Sequence, residues 1–425
     1  MIKRFEWYVA LRYLLAGKKH RFTSFISVMA VVGVSIGVCA LIVVIAVMAG
    51  FQKELRERLL GVNSHLIVQR LGGPVLGYQG LMREISKLSV EKRGLSGFWA
   101  RIKGEGTVKV EGILPCVVLQ GLLSSASGQA GVMVRGVPGE LAGRFYARIK
   151  MRQGSLASLV DEEPQVILGW RLAKNLGVSP GEKVRFILPG GRATPFGMLP
   201  KIRTLQVVGV FETGLYEFDA TLAFIPLGLA QQLAGMRDEV SHLEVKITDP
   251  FYAGEFAKLL AQKLGFPYWV IDWRRMNASL FSALKLEKAA MFVILTLIVV
   301  VAAFNIVAAL IMLVGEKRED IAILKSMGAS DASILRIFML TGFLLGASGM
   351  TLGTLGGLFL CFLIARYPII KLPSDVYYVD RLPVLVQGLD VLTIALAALV
   401  LALLATVYPA KQAAKLPPAE VLRYG

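Results

Sequence analysis

The segment AAMFVILTLIVVVAAFNIVAALIMLV, residues 289–314, is an apolar run without a charged side chain. Three further apolar runs lie at 25–50, 337–365 and 391–407. A helix needs about 20 apolar residues to cross the hydrocarbon core of a bilayer, so each run can span a membrane. Residues 51–288 have a mixed, turn-rich composition and are expected to fold in water. The sequence therefore predicts four transmembrane α-helices in a one-plus-three arrangement, with a large outer domain between the first and the second.

The composition places the chain among integral membrane proteins. It has 425 residues, of which 55% are hydrophobic, and a mean hydropathy of +0.62. A net charge of +17 would suggest nucleic-acid binding in a soluble protein. In a membrane protein the same excess indicates Lys and Arg concentrated on the cytoplasmic side of the spans. We expect no nucleic-acid partner.

The basic residues next to the spans predict the orientation. They precede the first run and follow the second and fourth: Lys3, Arg4, Arg12, Lys18, Lys19 and Arg21, then Lys317, Arg318 and Lys325, then Lys411, Lys415 and Arg423. By the positive-inside rule both termini are cytoplasmic, and the large domain is outside a multi-pass inner-membrane protein, in the periplasm.

The predicted organisation follows from these runs. In chain order it comprises a cytoplasmic amphipathic helix at 1–22, a span at 23–50, a periplasmic α+β domain at 51–276, a span with a periplasmic extension at 277–314, a cytoplasmic helix at 315–332, a span at 333–366, a periplasmic loop at 367–388, a span at 389–408 and a cytoplasmic tail at 409–425. An unstructured basic leader at 1–22 and a division of the outer domain into two subdomains near Val160 remain open.

Patterns typical of catalytic sites are present but lack the context that such sites need. GVSIG at 33–37 has the spacing of a nucleophile elbow but lies inside an apolar helix. GVSPGEK at 177–183 lacks the spacing of a phosphate-binding loop. The three histidines, His20, His65 and His242, are scattered along the chain. We therefore predict no catalytic, cofactor or metal site in this chain.

The segment EKREDIAILKSMGAS, residues 316–330, predicts a short amphipathic helix on the cytoplasmic side. Ile321, Leu324 and Met327 would share one face, and Gly328 would end the helix. An apolar face with a charged rim suits the groove of a partner protein. A solvated loop with one helical turn is equally compatible with the residues alone.

Glycines at steps of three or four mark one face of the third run: Gly342, Gly346, Gly349, Gly353 and Gly357. Gly33 and Gly37 do the same in the first run. Such stripes allow another helix to approach closely, so they predict helix packing.

The segment GGRATPFGMLPKIRTLQVVGV, residues 190–210, predicts a long loop at 189–201 between two strands. Phe196, Met198 and Leu199 lie in that loop with few obvious core partners. Exposed apolar side chains on a loop suggest a docking site, although the loop could also fold onto its own domain.

Several segments together resemble the type VII ABC permeases, the superfamily of the MacB-like and FtsX-like proteins. Residues 316–330 are similar to the family's coupling helix, and YPAKQAAKLPPAEVLRYG at 408–425 to its C-terminal signature. VMAGFQKELRERLLG at 47–61 and SDVYYVDRLPV at 374–384 resemble the lipoprotein-releasing (Lol) branch, the LolC/LolE family. ATPFGMLP at 193–200 looks like the hook of that branch.

The resemblance implies a permease subunit of a lipoprotein-releasing transporter. It would extract lipoproteins from the inner membrane and pass them to a periplasmic carrier chaperone (LolA-like) for outer-membrane localisation. The implied chaperone-binding hook comprises Thr194, Pro195, Phe196, Gly197, Met198, Leu199 and Pro200. A dimeric ATPase on a separate chain (LolD-like), which binds ATP and Mg, would contact Glu319, Ile321, Leu324, Met327 and Gly328. On our hypothesis the lipoprotein acyl chains enter a cavity lined by Val44, Met48, Phe51, Tyr377, Tyr378 and Leu382, although these side chains could simply face lipid.

Alternatives remain at this level. A MacB-like efflux permease or an FtsX-like mechanotransmission scaffold would have a similar layout. The hook and the aromatic outer loop, which look divided between two permeases in heterodimeric relatives, occur together in this chain. A second copy of the same permease is therefore the favoured partner, with a heterodimer as the alternative.

Overall fold

The computed structural model describes residues 4–15, 21–91, 106–161, 163–194, 197–367 and 382–417. Within these ranges, four helices are long and apolar enough to cross a membrane. We call them the first to fourth spans; they occupy Arg21–Val62, Ala278–Glu316, Asp331–Arg366 and Gly388–Ala414. Two shorter helices accompany them, at Arg4–Leu15 and Arg318–Ser326.

The first span is longer than the apolar run that predicts it. Its helix continues past residue 50 to Val62, through the charged sequence QKELRERLLGV. This continuation is amphipathic, since Leu55, Leu59 and Leu60 are buried while charged residues occupy the other positions. Glu54 and Arg58, one turn apart, form an ion pair with 2.7 Å between Oε1 and Nε. With no proline to stop it, the helix ends only at Val62.

The outer domain contains thirteen described strands and several short helices. The strands are β1 Leu66–Arg70, β2 Val75–Leu76, β3 Ser89–Glu91, β4 Thr107–Ser124, β5 Gln129–Val137, β6 Lys150–Gln153, β7 Gln165–Gly169, β8 Lys183–Thr194, β9 Gly197–Glu212, β10 Leu222–Pro226, β11 Glu239–Val240, β12 His242–Ile247 and β13 Tyr268–Asp272. The α-helices lie at Tyr78–Ser86, Gly139–Phe145, Trp170–Leu176, Tyr216–Thr221, Leu227–Ala234, Ala253–Leu264 and Trp273–Met276, with short 3₁₀ turns at Leu156–Ser158 and Pro250–Tyr252.

Eleven of these strands form one mixed sheet. Its main order is β13-β1-β12-β4-β5-β10-β7-β9-β6, with β3 paired to β4 and β8 paired to both β4 and β9. The pairs β5–β10 and β7–β9 are parallel, and the remaining described pairs are antiparallel. Strands joined by short helices on a mixed sheet make an α+β domain. Together with the four spans, this confirms the predicted fold class.

The 18-residue strand β4 joins the two halves of the sheet. Its first half pairs with β12, and its second half pairs with β5. Because β5, which precedes residue 160, also pairs with β10, which follows it, the sheet runs without interruption across Val160. The structure therefore shows no subdomain boundary at that residue.

Candidate functional site

The outer end of the first span is covered by the segment that leads into the fourth span. The backbone N–H of Leu385 donates to the carbonyl oxygen of Ala46, 2.9 Å away. A Cβ added at Gly50 would overlap the carbonyl oxygen of Pro383 and lie 2.6 Å from its carbonyl carbon. Val384 packs against the buried core of the spans. The extended segment therefore lies directly on the helix backbone.

The structure describes four of the six residues that were predicted to line the acyl-chain cavity. Val44, Met48 and Phe51 are half-buried on the first span, and Leu382 is half-buried at the start of the covering segment. Tyr377 and Tyr378 lie outside the described residues.

Sequence reasoning missed Ala46 and Gly50, the two small residues at which the segment approaches the helix. Their spacing of four residues is the small-xxx-small pattern that allows close approach of backbones in membranes. The same pattern was recognised at Gly33 and Gly37, so the signal was available.

The predicted loop at 189–201 is instead a hairpin. β8 continues to Thr194 and β9 begins at Gly197, and these two residues pair in the antiparallel register. The register shifts between Leu188 and Arg192, so the irregular residues fall at a bulge. Gly190 adopts the left-handed φ of 87° there. Glycine and proline suggested a loop, but both are tolerated at a bulge in an otherwise paired ribbon.

The described residues of the predicted hook lie at the tip of this hairpin. Pro195 and Phe196 are outside the described residues, and for Thr194, Gly197 and Met198 only the backbone is described. Leu199 is 61% exposed, as is Ile202 at 60%. Pro200 is exposed as well. The described part of the tip thus presents apolar side chains to its surroundings.

The segment at 316–330 forms the predicted helix, at Arg318–Ser326, but exposes a different face from the predicted one. Ile321 is completely buried in the core of the spans, and Leu324 is half-buried against the same core. Ile323 and Met327 are exposed, at 49% and 80%. The apolar spacing predicted one shared face for Ile321, Leu324 and Met327. The structure differs because the helix needs an apolar side to pack against its own spans.

The end of this helix follows the prediction from Gly328. That residue has a left-handed φ of 98°, and its N–H donates to the carbonyl oxygen of Lys325 at 2.9 Å. Ser330 then caps the third span, since its hydroxyl accepts from the N–H of Ser333 at 3.3 Å. Glu319, on the first turn of the helix, is exposed.

Polar contacts connect this short helix to its neighbours. Lys325 Nζ donates to the carbonyl oxygens of Ala414, at 2.5 Å, and Leu416, at 3.0 Å, and lies 2.8 Å from Asp331 Oδ1. The ammonium of Lys317 lies 5.6 Å from the ring centroid of Tyr13 in the N-terminal helix. Displacement of the short helix would therefore act on the N-terminal helix and on the third and fourth spans.

The glycine stripe of the third span contacts two other spans of the same chain. Cβ atoms added at Gly342 and Gly346 would overlap Thr406 and Ala402 of the fourth span. Cβ atoms added at the other three glycines would lie close to the first span. The added Cβ would be 2.8 Å from Val34 Cβ at Gly349, and 2.6 Å from the carbonyl oxygen of Ser35 at Gly353. At Gly357 it would be 3.1 Å from Ile42 Cβ. The stripe packs helices within one chain.

A buried polar network in the outer domain was not anticipated from the sequence. Tyr146 Oη donates to Glu244 Oε2 at 2.6 Å, and Arg135 lies 3.4 Å from Glu244 Oε1. Burial favours the neutral acid, but the charge of Arg135 and the hydrogen bond from His242 lower the pKa of Glu244 to about 2. Cys116 is paired opposite His242, and burial raises the pKa of its thiol.

Three side chains of this network are of types that can ligate a metal ion. Ligand atoms of Cys116, His242 and Glu244 all lie within 4.8 Å of one another. Glu244 already binds Arg135 and Tyr146, and the Cys116 thiol is held neutral, whereas a metal needs the thiolate. These residues fit a structural brace between β4, β5 and β12 better than a cation site. Alternation along β12, which puts His242 and Glu244 on one face, was the available signal.

Family models match most of the chain. The model described as MacB-like periplasmic core domain matches residues 27–263, and the one described as FtsX-like permease C-terminal matches 292–418. The chain is 37% identical to "Lipoprotein-releasing system transmembrane protein LolC" of Xylella fastidiosa (strain 9a5c), over 98% of both chains. The chain belongs to the LolC/LolE family of permeases.

Other relatives carry either name of this family. The chain is 39% identical to LolC of Neisseria meningitidis serogroup B over 99% of both chains, and 28% identical to LolE of Haemophilus influenzae over 98% of both. As a Lol permease it is a non-catalytic subunit of an ABC transporter in the inner membrane, with a periplasmic MacB-like domain.

Proposed function

We propose that this Lol permease extracts lipoproteins from the inner membrane and hands them to a periplasmic carrier chaperone for transfer to the outer membrane. The observation that carries the proposal is the 37% identity, over 98% of both chains, to a protein named for lipoprotein release. Both termini would then be cytoplasmic, in accord with the basic residues at 3–21 and 411–423.

The physical task explains why such a transporter needs an external source of energy. Each buried methylene of an acyl chain stabilises membrane residence by about 0.8 kcal/mol, so a multiply acylated anchor is held by tens of kcal/mol. Spontaneous release is negligible at that cost. The permease must couple release to an energy source and offer the chains an apolar receiver.

An ATPase dimer on a separate chain, which binds ATP and Mg, would supply that energy from the cytoplasm. Its contact surface would include Glu319, Ile323 and Met327, whose side chains are exposed on or next to the short cytoplasmic helix. Ile321 and Leu324 would instead transmit the movement, because they pack against the spans. The contacts of Lys325 with 414 and 416 give the same movement a route to the fourth span.

The acyl chains would be received at the outer end of the first span. Val44, Met48 and Phe51 are half-buried apolar side chains of the first span, at the same level as the covering segment that begins at Leu382. Methionine suits this role because its flexible thioether adapts to irregular apolar surfaces. Tyr377 and Tyr378 would complete the cavity.

The chaperone would dock at the tip of the β8–β9 hairpin, at residues 194–200. Leu199 and the neighbouring Ile202 expose apolar surface there, which is the kind of patch that marks a protein contact.

A second permease is required for a dimeric ATPase, and a homodimer is the simpler assembly, because one chain carries both the hook and the 374–384 loop.

The proposal is tested by reconstituting the permease with its ATPase in liposomes that contain a labelled lipoprotein, and measuring transfer to the chaperone with ATP. Met48→Ser should lower release about tenfold through loss of apolar contact while the complex still assembles. Met29→Ser, at a methionine 57% exposed on the same helix, is the matched control and should release normally. ATP hydrolysis without any transfer by the wild type would refute lipoprotein release and favour a mechanotransmission scaffold; export of a soluble substrate instead would favour an efflux permease.

A further inference from the structure

A cavity of about 440 Å³ in the outer domain is not explained by lipoprotein release. Strands β4 and β12, the last turn of the first span, the helix Gly139–Phe145 and the segment after that helix line it. Its volume lies within the range of about 300–1,000 Å³ typical of small-molecule sites. Its lining residues belong to the outer domain and do not include the hairpin tip.

The charged residues that line this cavity are mostly basic. Arg144, Arg148 and Lys246 face a single carboxylate, that of Glu111. With His65 neutral, three positive charges and one negative charge give the lining residues a net charge of +2. Within the part of the chain that the structure describes, Arg144 and Arg148 form no ion pair, and both are exposed to solvent.

Lys246 is fixed in position at the wall of the cavity. Its Nζ donates to the carbonyl oxygen of Phe145 and lies 4.6 Å from the ring centroid of Phe145 and 5.5 Å from that of Tyr146. These contacts orient the ammonium but provide no countercharge. Burial, together with the nearby charge of Arg148, lowers the pKa of Lys246, although the carboxylates of Glu244 and Glu111 act in the opposite direction.

The pKa of His65, which also lines the cavity, is lowered by burial and by the same positive charges. Its Nδ1 accepts a hydrogen bond from the N–H of Ile247 at 3.0 Å, which leaves Nε2 as the nitrogen able to donate. Burial and the charges of Lys246 and Arg148 lower its pKa to about 4. Positive groups placed close together create a positive potential, which disfavours further protonation and attracts an anion.

We propose that this cavity binds a phosphate monoester, with Arg144, Arg148 and Lys246 as its cationic ligands. A phosphate monoester carries about −1.5 to −2 charges at neutral pH, which matches the excess positive charge of the lining. Guanidinium groups bind phosphate oxygens in a bidentate manner, and an ammonium adds a point charge.

The remaining lining indicates that the phosphate belongs to a larger, partly apolar molecule. Leu60, Ile113, Leu141 and Pro250 contribute apolar surface to the same cavity. A bare phosphate would fill only a small part of the cavity. Water molecules, each of which occupies about 30 Å³ in the liquid, would have to fill the rest. A lipid headgroup with a terminal phosphate and a soluble phosphate ester share this chemistry.

Calorimetric titration of the full-length permease, in a phosphate-free maltoside detergent, tests the site. Glycerol 3-phosphate should bind saturably, and Arg144→Ser with Arg148→Ser should weaken binding at least about tenfold through loss of two charge-assisted contacts. Arg83→Ser with Arg237→Ser removes the same charge from exposed positions elsewhere in the domain and should leave the affinity unchanged. Unaltered affinity in the Arg144/Arg148 variant, or no saturable binding by the wild type, would overturn the proposal.

Two further titrations identify the source of the phosphate. Short-chain phosphatidic acid that binds about tenfold more tightly than glycerol 3-phosphate would support a lipid headgroup. Equal affinities would support a soluble ester. Because neither titration involves the ATPase, the chaperone or a lipoprotein, failure here is distinguishable from failure of the proposed transport function.

Discussion

The backbone N–H of Leu385 donates to the carbonyl oxygen of Ala46, 2.9 Å away, in the middle of a continuous helix. A helical carbonyl normally accepts from the N–H four residues later, so this oxygen serves a second chain segment as well. The contact fixes the segment at 382–385 against the first span, at the same level as the residues proposed to receive acyl chains. It depends on the absence of a side chain at Gly50, next to Pro383.

Gly50→Ala should therefore displace the covering segment. The added methyl group would overlap the carbonyl of Pro383, and overpacking of this kind costs about 1–3 kcal/mol. We expect a lower thermal unfolding midpoint in detergent and reduced lipoprotein release. Gly61→Ala on the same helix meets nothing within 4 Å and should be neutral or stabilising by up to about 1 kcal/mol. Equal effects of the two substitutions would show that the contact with Pro383 is unimportant.

Leu199→Ser with Ile202→Ser should weaken binding of the carrier chaperone. Both side chains are about 60% exposed, so their loss should not disturb the fold, whereas apolar anchors of a docking site contribute strongly to affinity. We expect the dissociation constant to rise about tenfold, measured with purified chaperone, and ATP hydrolysis to be unchanged. Leu71→Ser with Leu76→Ser, which are 52% and 48% exposed elsewhere, provides the control. If only this control pair weakened binding, the chaperone site would have to be sought away from the hairpin.

The outline of the molecule could be predicted from the sequence because membrane spans have a strong signal. The run at 289–314 lies within the second span, Ala278–Glu316, and strand-like segments such as KVRFIL coincide with strands such as β8. The burial of Ile321 could not be predicted in the same way. An amphipathic pattern identifies an apolar face, but it does not indicate whether that face packs on the protein itself or on a partner.

Contacts between distant segments were the other part that the sequence could not predict. The approach of Pro383 to Gly50 and the pairing of Cys116 with His242 depend on tertiary geometry, which leaves little trace in local composition. Residues 189–201, in the middle of the β8–β9 hairpin, were predicted to be a loop for a related reason. Glycine and proline are common both in loops and at β-bulges, so their presence in the sequence does not distinguish the two. A bulge is recognised only when the pairing with the neighbouring strand is known.

Ile323→Ser with Met327→Ser should reduce binding of the ATPase without destabilising the permease. These side chains are exposed on or next to the short helix Arg318–Ser326, so they are available to a partner. We expect about a tenfold loss of affinity in co-purification at graded concentrations, with an unchanged unfolding midpoint. Ile321→Ala should instead lower the unfolding midpoint of the permease without a direct loss of ATPase contacts. The reason is that removal of a buried isoleucine side chain costs about 2–5 kcal/mol. If Ile321→Ala abolished ATPase binding at an unchanged unfolding midpoint, the assignment of the two faces would be wrong.

Acidification should destabilise the outer domain through His65. The pKa of this side chain is lowered from 6.5 to about 4 by burial and by the charges of Lys246 and Arg148. Between these values the unfolded chain binds a proton that the folded domain does not, so stability decreases as the pH falls from about 6.5 to about 4. At pH 5 the loss should reach about 2 kcal/mol, at 1.36 kcal/mol per pH unit. Glu244 adds nothing at that pH, because its pKa is lowered from 4.5 to about 2 and its contribution is lost only below about 4.5.

His65→Gln isolates this effect, because the glutamine carbonyl can still accept the hydrogen bond from Ile247 but does not titrate. The thermal unfolding midpoint of the full chain, measured at pH 7 and pH 5 in phosphate-free buffer, should fall less for the variant than for the wild type. An equal fall in both proteins would assign the acid sensitivity to other groups and contradict a neutral, buried His65. Because an anion in the cavity would favour protonated His65, glycerol 3-phosphate should diminish the fall in the wild type and have a smaller effect in the variant.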